Sequence, residues 1–420
     1  MTHFERSHLW VFSELYYPED SATGYYTTGI AESLAIKHRV GVLCAQPTYK
    51  ARGTKAPPKE LRNNVHIYRC AATTLDKDVL TYRLINLITI SVSIFFNALR
   101  RIRRGDFVIV VTNPPALPFV AFLVCKLRGA RLILRIEDVY PDAMIAAGMV
   151  GRDSFVVRML NVLHRFLYSN VDRVIVLGRD MLQLVEGKVL RKAGHISIIT
   201  NWADVDTVLP GERTSNPLLQ RYGLTEKFVV QYSGNMGRTH DLESLVACAR
   251  ILEKEQAVQF LFIGSGAKEQ WLRKTTEELR VSNITILPPQ PRSELKISLN
   301  ACDLAVISFV PGMSGVSVPS RMYNILAAGK PILALAGADS ELARLIVEEG
   351  VGFVVPPGSP DLAARAIIEA VTNRPALEAM SRRARTLVVE RYSHHHIMAK
   401  FEDLLCELVP RDDSVTTNAL

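Results

Sequence analysis

Val318-Pro319-Ser320-Arg321-Met322-Tyr323-Asn324-Ile325-Leu326-Ala327-Ala328-Gly329-Lys330-Pro331 reads as a polar, cationic turn, a short apolar helix and a Gly-Lys-Pro stop. Free N–H groups and the helix dipole at such a start favour anions, as in nucleotide-diphosphate sites. Arg321 can fork onto phosphate oxygens, and Ser320 can cap the helix or bond a phosphate. Pro311, Gly312 and Gly315 upstream make the loop more than a plain connection. A second stretch, Gly234-Asn235-Met236-Gly237-Arg238-Thr239-His240-Asp241, follows the strand Phe228-Val229-Val230 and opens a helix. Its glycines let the backbone approach an anion closely. A third, Gly264-Ser265-Gly266-Ala267-Lys268-Glu269, begins like the dinucleotide fingerprint, but Glu269 replaces the third glycine and disfavours NAD. Together they predict a phosphate-gripping α/β domain in the second half.

Working outward, apolar runs alternate with helical patterns, which predicts parallel sheets covered on both faces. The first half carries predicted strands at 9–12, 39–44, 106–111, 131–136, 173–177 and 196–199, with helices at 29–36 and 116–127. A loop at 18–28 is rich in Pro, Gly and Thr. The second half carries strands at 228–231, 259–263, 284–287, 304–308, 332–335 and 352–355. A helical stretch at 375–409 breaks near Tyr392-Ser393, and 408–420 reads as a tail. The predicted units are a first α/β domain at 1–204, a second at 205–385 and a helix at 386–407 returning to the first. Two such halves put their binding loops at the carboxyl ends of the strands, facing a cleft.

With 420 residues the chain exceeds one ordinary core, and 48% hydrophobic residues exclude disorder. The net charge of +8 suits phosphates or anionic lipid. No basic run interleaved with aromatics argues for nucleic acid. Six scattered cysteines without a Cys-x-x-Cys pair read as reduced thiols. The start, 1–12, carries no signal-peptide pattern. The most apolar helix, 84–99, spans about 24 Å, less than a bilayer core of about 30 Å. Arg100, Arg101, Arg103 and Arg104 follow it at once. One of its faces can serve the core while another dips into an anionic leaflet, so 84–104 is a candidate membrane-associating element.

Glu137-Asp138 and Asp142 end a first-half strand, where carboxylates can orient a sugar hydroxyl or take a proton. Asp76-Lys77-Asp78 and Asp204-Val205-Asp206 are weak metal patterns. His394-His395-His396 cannot put three ligands on one helix face. No metal is expected.

The chain, over about 1–405, resembles bacterial retaining glycosyltransferases of family 4, with the two-Rossmann GT-B architecture. Four motifs carry the resemblance in order: Asn201-Trp202-Ala203-Asp204, Ser233-Gly234-Asn235-Met236-Gly237, Phe262-Ile263-Gly264-Ser265-Gly266, and Pro319-Ser320-Arg321 with Ala327-Ala328-Gly329-Lys330-Pro331. Glu137-Asp138-Val139-Tyr140-Pro141-Asp142 is similar to a motif of the branch containing colanic-acid and O-antigen transferases, including N-acetylfucosaminyl transferases. This chain departs from many relatives. Asn235 and His240 stand where they carry Arg and Lys. Near Val316 and at Asn324 they carry paired glutamates, and at Glu137 a histidine.

The resemblance implies transfer of a sugar from a nucleoside-diphosphate donor, a UDP-sugar with an N-acetylated amino or deoxy sugar, to a lipid-linked or surface-polysaccharide precursor. It implies retained configuration, no cofactor, and a cytoplasmic protein peripheral on the inner membrane face. Glu137, Asp138 and Arg321 would be catalytic. Gly24, Gly234, Asn235, Arg238, His240, Gly264, Gly266, Ser320, Arg321 and Asn324 would hold the donor, with Gly24 closing over the diphosphate and Asn324 touching ribose or sugar. A sugar-nucleotide 2-epimerase of the same architecture, and a non-catalytic sugar-nucleotide-binding subunit of a polysaccharide assembly complex, are the competing readings.

Overall fold

Short runs of aliphatic and β-branched residues, each closed by a turn, become strands buried on both faces. The computed structural model describes residues 8–47, 55–75, 80–190 and 194–408. The first domain runs β1 (His8–Phe12), α1 (Ala22–Leu34), β2 (Arg39–Cys44), β3 (Lys59–Arg62), β4 (Val65–Arg69), α2 (Leu80–Arg101), β5 (Phe107–Val111), α3 (Leu117–Arg128), β6 (Arg131–Arg135), α4 (Asp142–Ala146), α5 (Phe155–Asn170), β7 (Arg173–Val176), α6 (Arg179–Glu186) and β8 (Ile196–Ile198). Its eight strands lie in the order β3-β4-β2-β1-β5-β6-β7-β8, parallel except for β3 against β4.

The second domain runs α7 (Pro217–Arg221), β9 (Phe228–Asn235), α8 (Leu242–Ile251), β10 (Val258–Ser265), α9 (Glu269–Glu278), β11 (Ile284–Leu287), α10 (Leu295–Leu299), β12 (Leu304–Ser308), α11 (Arg321–Ala327), β13 (Ile332–Leu335), α12 (Glu341–Glu349), β14 (Gly352–Val355), α13 (Pro360–Thr372), α14 (Arg374–Arg391) and α15 (His394–Leu408). Its six parallel strands lie in the order β11-β10-β9-β12-β13-β14. Each sheet starts in its middle, at β1 or β9, and winds outward both ways. That is the doubly wound, Rossmann-like plan the sequence predicts. The winding reverses between β1 and β5 and between β9 and β12, where crevices form at the strands' carboxyl ends.

The domains meet through a shared core as well as the linker. Phe12, Val110 and Leu134 of the first domain belong to the same buried apolar cluster as Val316, Met322 and Tyr323 of the second. The linker is locked to the returning chain, because the Ala203 N–H donates to the Tyr392 carbonyl oxygen at 2.7 Å. Trp202 is buried edge-on to Tyr26 at 4.7 Å and meets His394 at 5.0 Å. The four-residue boundary motif is thus an interlock. α15 then packs Ile397, Phe401 and Leu405 among Ile30, Leu34 and Val40 of the first domain. Residue 386 lies inside α14, so the return begins at the break 392–393, not at 386.

Three expectations change. α1 begins at Ala22 rather than at 29, because Ser21 caps it, its Oγ accepting the Gly24 N–H at 3.1 Å. The loop 18–28 is therefore largely helix, and Gly24 sits buried in its first turn instead of on a closing loop. α2 has 22 residues and spans about 33 Å. By length and composition alone its segment Leu84–Arg101 could cross a membrane, yet Asn86, Ile90, Ile94 and Ala98, four apart, are buried along one stripe. Finally, β3, β4 and α5 were not expected at all. The pair Asp76 and Asp78 lies outside the described residues.

Candidate active site

The second-domain wall grows from two glycine ends. β9 and β10 pair in parallel register, bringing Gly234 beside Gly264 at their carboxyl ends. Gly264 has φ +150°, and a Cβ there would lie 1.9 Å from the Gly234 carbonyl oxygen. No side chain fits between these strand ends, which leaves backbone edges for a ligand. Arg321 lies over this edge. Its Nη1 donates to the Ser233 carbonyl oxygen at 3.1 Å, and its guanidinium covers the Tyr232 ring at 4.9 Å. α11 has only seven residues, so its dipole is small, and Arg321 adds a full positive charge at this edge. Ser320 occupies the N-cap position without a side-chain cap bond, so of its two expected roles the capping one is not made.

His240 fixes the other arm of Arg321, with Nε2 2.6 Å from Nη2. An arginine can only donate, so Nε2 accepts and the imidazole is neutral. Burial, and next the Arg321 charge, push the His240 pKa down to about 2. Phe309 stacks on the ring at 5.6 Å. His240 is therefore no substitute cation; it aims the one beside it. Lys268 is tied to the His240 carbonyl oxygen at 2.7 Å and to Glu243 at 2.8 Å.

This depressed pKa makes stability pH-dependent with a definite sign. The unfolded His240 takes up a proton near pH 6.5 and the folded one does not. Its contribution is complete above that pH and is lost as pH falls toward about 2. Below pH 6.5 the slope from this one group approaches about 1.4 kcal/mol per pH unit. Burial lowers His164 and His394 as well, adding the same sign. His240→Gln is expected to flatten the acid-side slope of urea-unfolding free energy between about pH 6.5 and 5 by about one proton.

The first-domain wall is built on a buried arginine. Arg135 is fully enclosed at the end of β6, and burial lowers its pKa to about 10. It pairs with the Glu137 carboxylate and donates to Asn201 Oδ1 at 2.7 Å. Thr112 Oγ1 accepts the Glu137 N–H at 3.0 Å. Glu137 is thus a fixed carboxylate rather than a mobile one. Asp138 lies across the domain seam, where its carboxyl bonds Ser317; burial raises its pKa and that bond opposes the rise.

The loop 310–320 is pinned to this wall. The Val139 N–H donates to the Val316 carbonyl oxygen at 2.9 Å, and Asp138 bridges Ser317. Asp180 Oδ2 accepts the Gly315 N–H at 2.8 Å, and Arg179 bonds Glu341 at 2.9 Å and Glu348 at 2.8 Å. The Tyr26 hydroxyl on α1 reaches the Ser320 carbonyl oxygen at 3.4 Å. Residues from both domains therefore meet around the turn before Arg321.

Gly234, Gly264, His240, Ser320 and Arg321 come together, with Glu137 and Asp138 across the seam. Asn235 is exposed at the end of β9, and its Oδ1 would lie 2.7 Å from a Cβ on Gly266. Arg238 is exposed on the same loop. Asn324 departs from its expected role: it is buried, and its Oδ1 accepts the Asp204 N–H at 2.8 Å, serving the linker. Asp204 Oδ1 in turn accepts the Thr207 N–H. Among the described residues no three His, Cys, Asp or Glu side chains gather into a metal-binding group. The sequence reading missed Arg135, Asp180 and Tyr26. An arginine in the apolar strand Arg131-Leu132-Ile133-Leu134-Arg135 was the available signal for the first.

Residues 21–202 match a family model described as glycosyl transferase 4-like domain, and residues 218–387 match glycosyl transferases group 1. The chain is 34% identical over 301 residues to the probable glycosyltransferase WbjE of Pseudomonas aeruginosa, covering 72% of this chain and 74% of that one. It is 27% identical over 374 residues to the putative colanic acid biosynthesis glycosyl transferase WcaI of Escherichia coli strain K12, covering 86% and 91%. Among solved structures it is similar to Anabaena HepE in complex with UDP-glucose, with a TM-score of 0.72 and 14% identity over 96% of this chain and 100% of that one. At that identity the likeness speaks for the fold.

Proposed function

The chain belongs to the family 4 glycosyltransferases of GT-B architecture, and from that premise we propose that it moves a sugar from a UDP-sugar to a lipid-linked or surface-polysaccharide precursor, retaining anomeric configuration. The sugar is an N-acetylated amino sugar or a deoxy sugar. The likeness to a colanic acid biosynthesis transferase and to a fold that holds UDP-glucose supports this reading.

One observation carries it: a guanidinium fixed at the glycine edge by Ser233 and His240, at the start of a helix whose preceding loop is pinned to the first domain. As the bond from the sugar to the diphosphate breaks, negative charge grows on the leaving group. Arg321 is already oriented for it, and such a preorganised group lowers the barrier. Glu137, held by Arg135, orients donor hydroxyls. The reading requires no metal, and it places the protein at the cytoplasmic face of the inner membrane, where nucleotide sugars and polyprenyl-linked acceptors meet.

The test is incubation with radiolabelled UDP-sugars and polyprenyl-diphosphate-linked acceptors, followed by extraction and NMR of the anomeric proton. Label in the lipid phase with the donor's anomeric configuration is expected. An epimerised UDP-sugar in the aqueous phase and no labelled lipid would sink the transferase reading in favour of the epimerase.

A further inference from the structure

We propose that α2, α3 and α5 together form a surface that docks on an anionic phospholipid bilayer. The inference deepens the proposed function, whose lipid-linked acceptor demands a membrane, and it rests on that reading.

On α2 the stripe opposite the buried one is also apolar: Ile88 is 53% exposed, Val92 49% and Phe96 55%. On α5 the exposed side chains include Phe155 at 80%, Val162 at 68% and Phe166 at 54%. Their spacing of seven and four puts them on one helix face. α3 bridges the two helices, packing on both; its Phe122 meets Phe166 at 5.6 Å, and its Leu123 and Leu127 are exposed. Soluble monomers rarely leave a contiguous apolar surface on this scale bare.

Charge decides the occupant. α2, α3 and α5 have 22, 12 and 16 residues and contain no Asp or Glu. They carry Arg100, Lys126 and Arg158, all exposed, and Arg103 and Arg104 follow α2. The nearest acid before α5 is Asp153, at its edge. Apolar faces bordered by cations and free of acids suit insertion among lipid phosphates. The surface also adjoins the site. His164, on the inner side of α5, stacks near Tyr140 at 6.3 Å, within the Glu137–Asp142 stretch. α5 therefore lies between this surface and the Glu137–Asp142 stretch.

The test is flotation of the full chain with phosphatidylglycerol–phosphatidylcholine vesicles and with phosphatidylcholine alone, without substrate. A variant carrying both Ile88→Asp and Val162→Asp is run beside the parent. Flotation on anionic vesicles only, released by high salt and weakened about tenfold or more in the variant, is expected. Because both positions are exposed, the variant's melting point should match the parent's. Absent flotation, equal flotation on neutral vesicles, or unchanged flotation of the variant overturns the proposal. A dimer of the parent that the variant turns into a monomer also overturns it, since a second copy then covers the face. A nucleotide-induced melting shift without flotation would sink this surface alone. Flotation without any such shift would sink the transferase reading alone.

Discussion

Arg321→Ala should lower kcat/KM for the nucleotide-sugar donor by about 10²- to 10³-fold, the cost of losing one preorganised charge-stabilising group. Two bonds make the residue hard to replace. Nη1 is spent on the Ser233 carbonyl oxygen and Nη2 on His240, so the plane of the guanidinium is set before any ligand arrives. A lysine restores the charge but cannot make both bonds from one fork, and Arg321→Lys should recover only part of the loss. Steady-state kinetics with varied donor check this. If leaving-group stabilisation is the role, kcat falls with kcat/KM; a rise in KM alone would mean that Arg321 binds ground state and transition state equally.

The second large effect is steric. Gly264→Ala would place a Cβ 1.9 Å from the Gly234 carbonyl oxygen, so one strand end must move. The shift would pull Ser233 and Gly234 from beneath Arg321, and nucleotide binding should vanish together with several degrees of melting temperature. Gly312→Ala is the control. Gly312 also has positive φ, at +86°, but nothing lies within 4 Å of its added Cβ. That substitution carries only the left-handed backbone cost of about 1–2 kcal/mol. Thermal melts of the two variants with and without UDP compare the effects. Equal behaviour would mean that the β9–β10 edge plays no special part.

Most of the framework was legible because it is local. A buried parallel strand announces itself as a short apolar run closed by proline or glycine, and β12, β13 and β14 fall where those runs fall. α1 was read late because Pro18-Glu19-Asp20-Ser21 and Thr23-Gly24 look like a loop, although Ser21 is a good N-cap and glycine is tolerated in a first turn. α5 was missed although Ser154 caps it and its polar residues Arg158, Asn161, Arg165 and Ser169 recur at helical spacing.

The site was legible only by parts. Arg321 and the glycine turns stand out by composition. That His240 is a neutral partner rather than a cation depends on a contact across 81 residues, and the Asp180 bond to Gly315 spans 135. Nothing in the neighbouring sequence encodes such pairs; the fold brings them together. Asn324 shows the opposite hazard. Its place in a functional-looking helix suggested a ligand contact, whereas its amide holds the linker at Asp204.

The most direct test of the central claim is a thermal-shift screen against UDP, GDP, ADP, TDP and their common sugar conjugates. A ligand that binds only the folded chain raises its melting point by mass action, about 2.7 kcal/mol at one hundred times Kd. A UDP-selective shift, larger with an amino-sugar conjugate, is expected. No shift with any of the four nucleotides or their conjugates would contradict the claim.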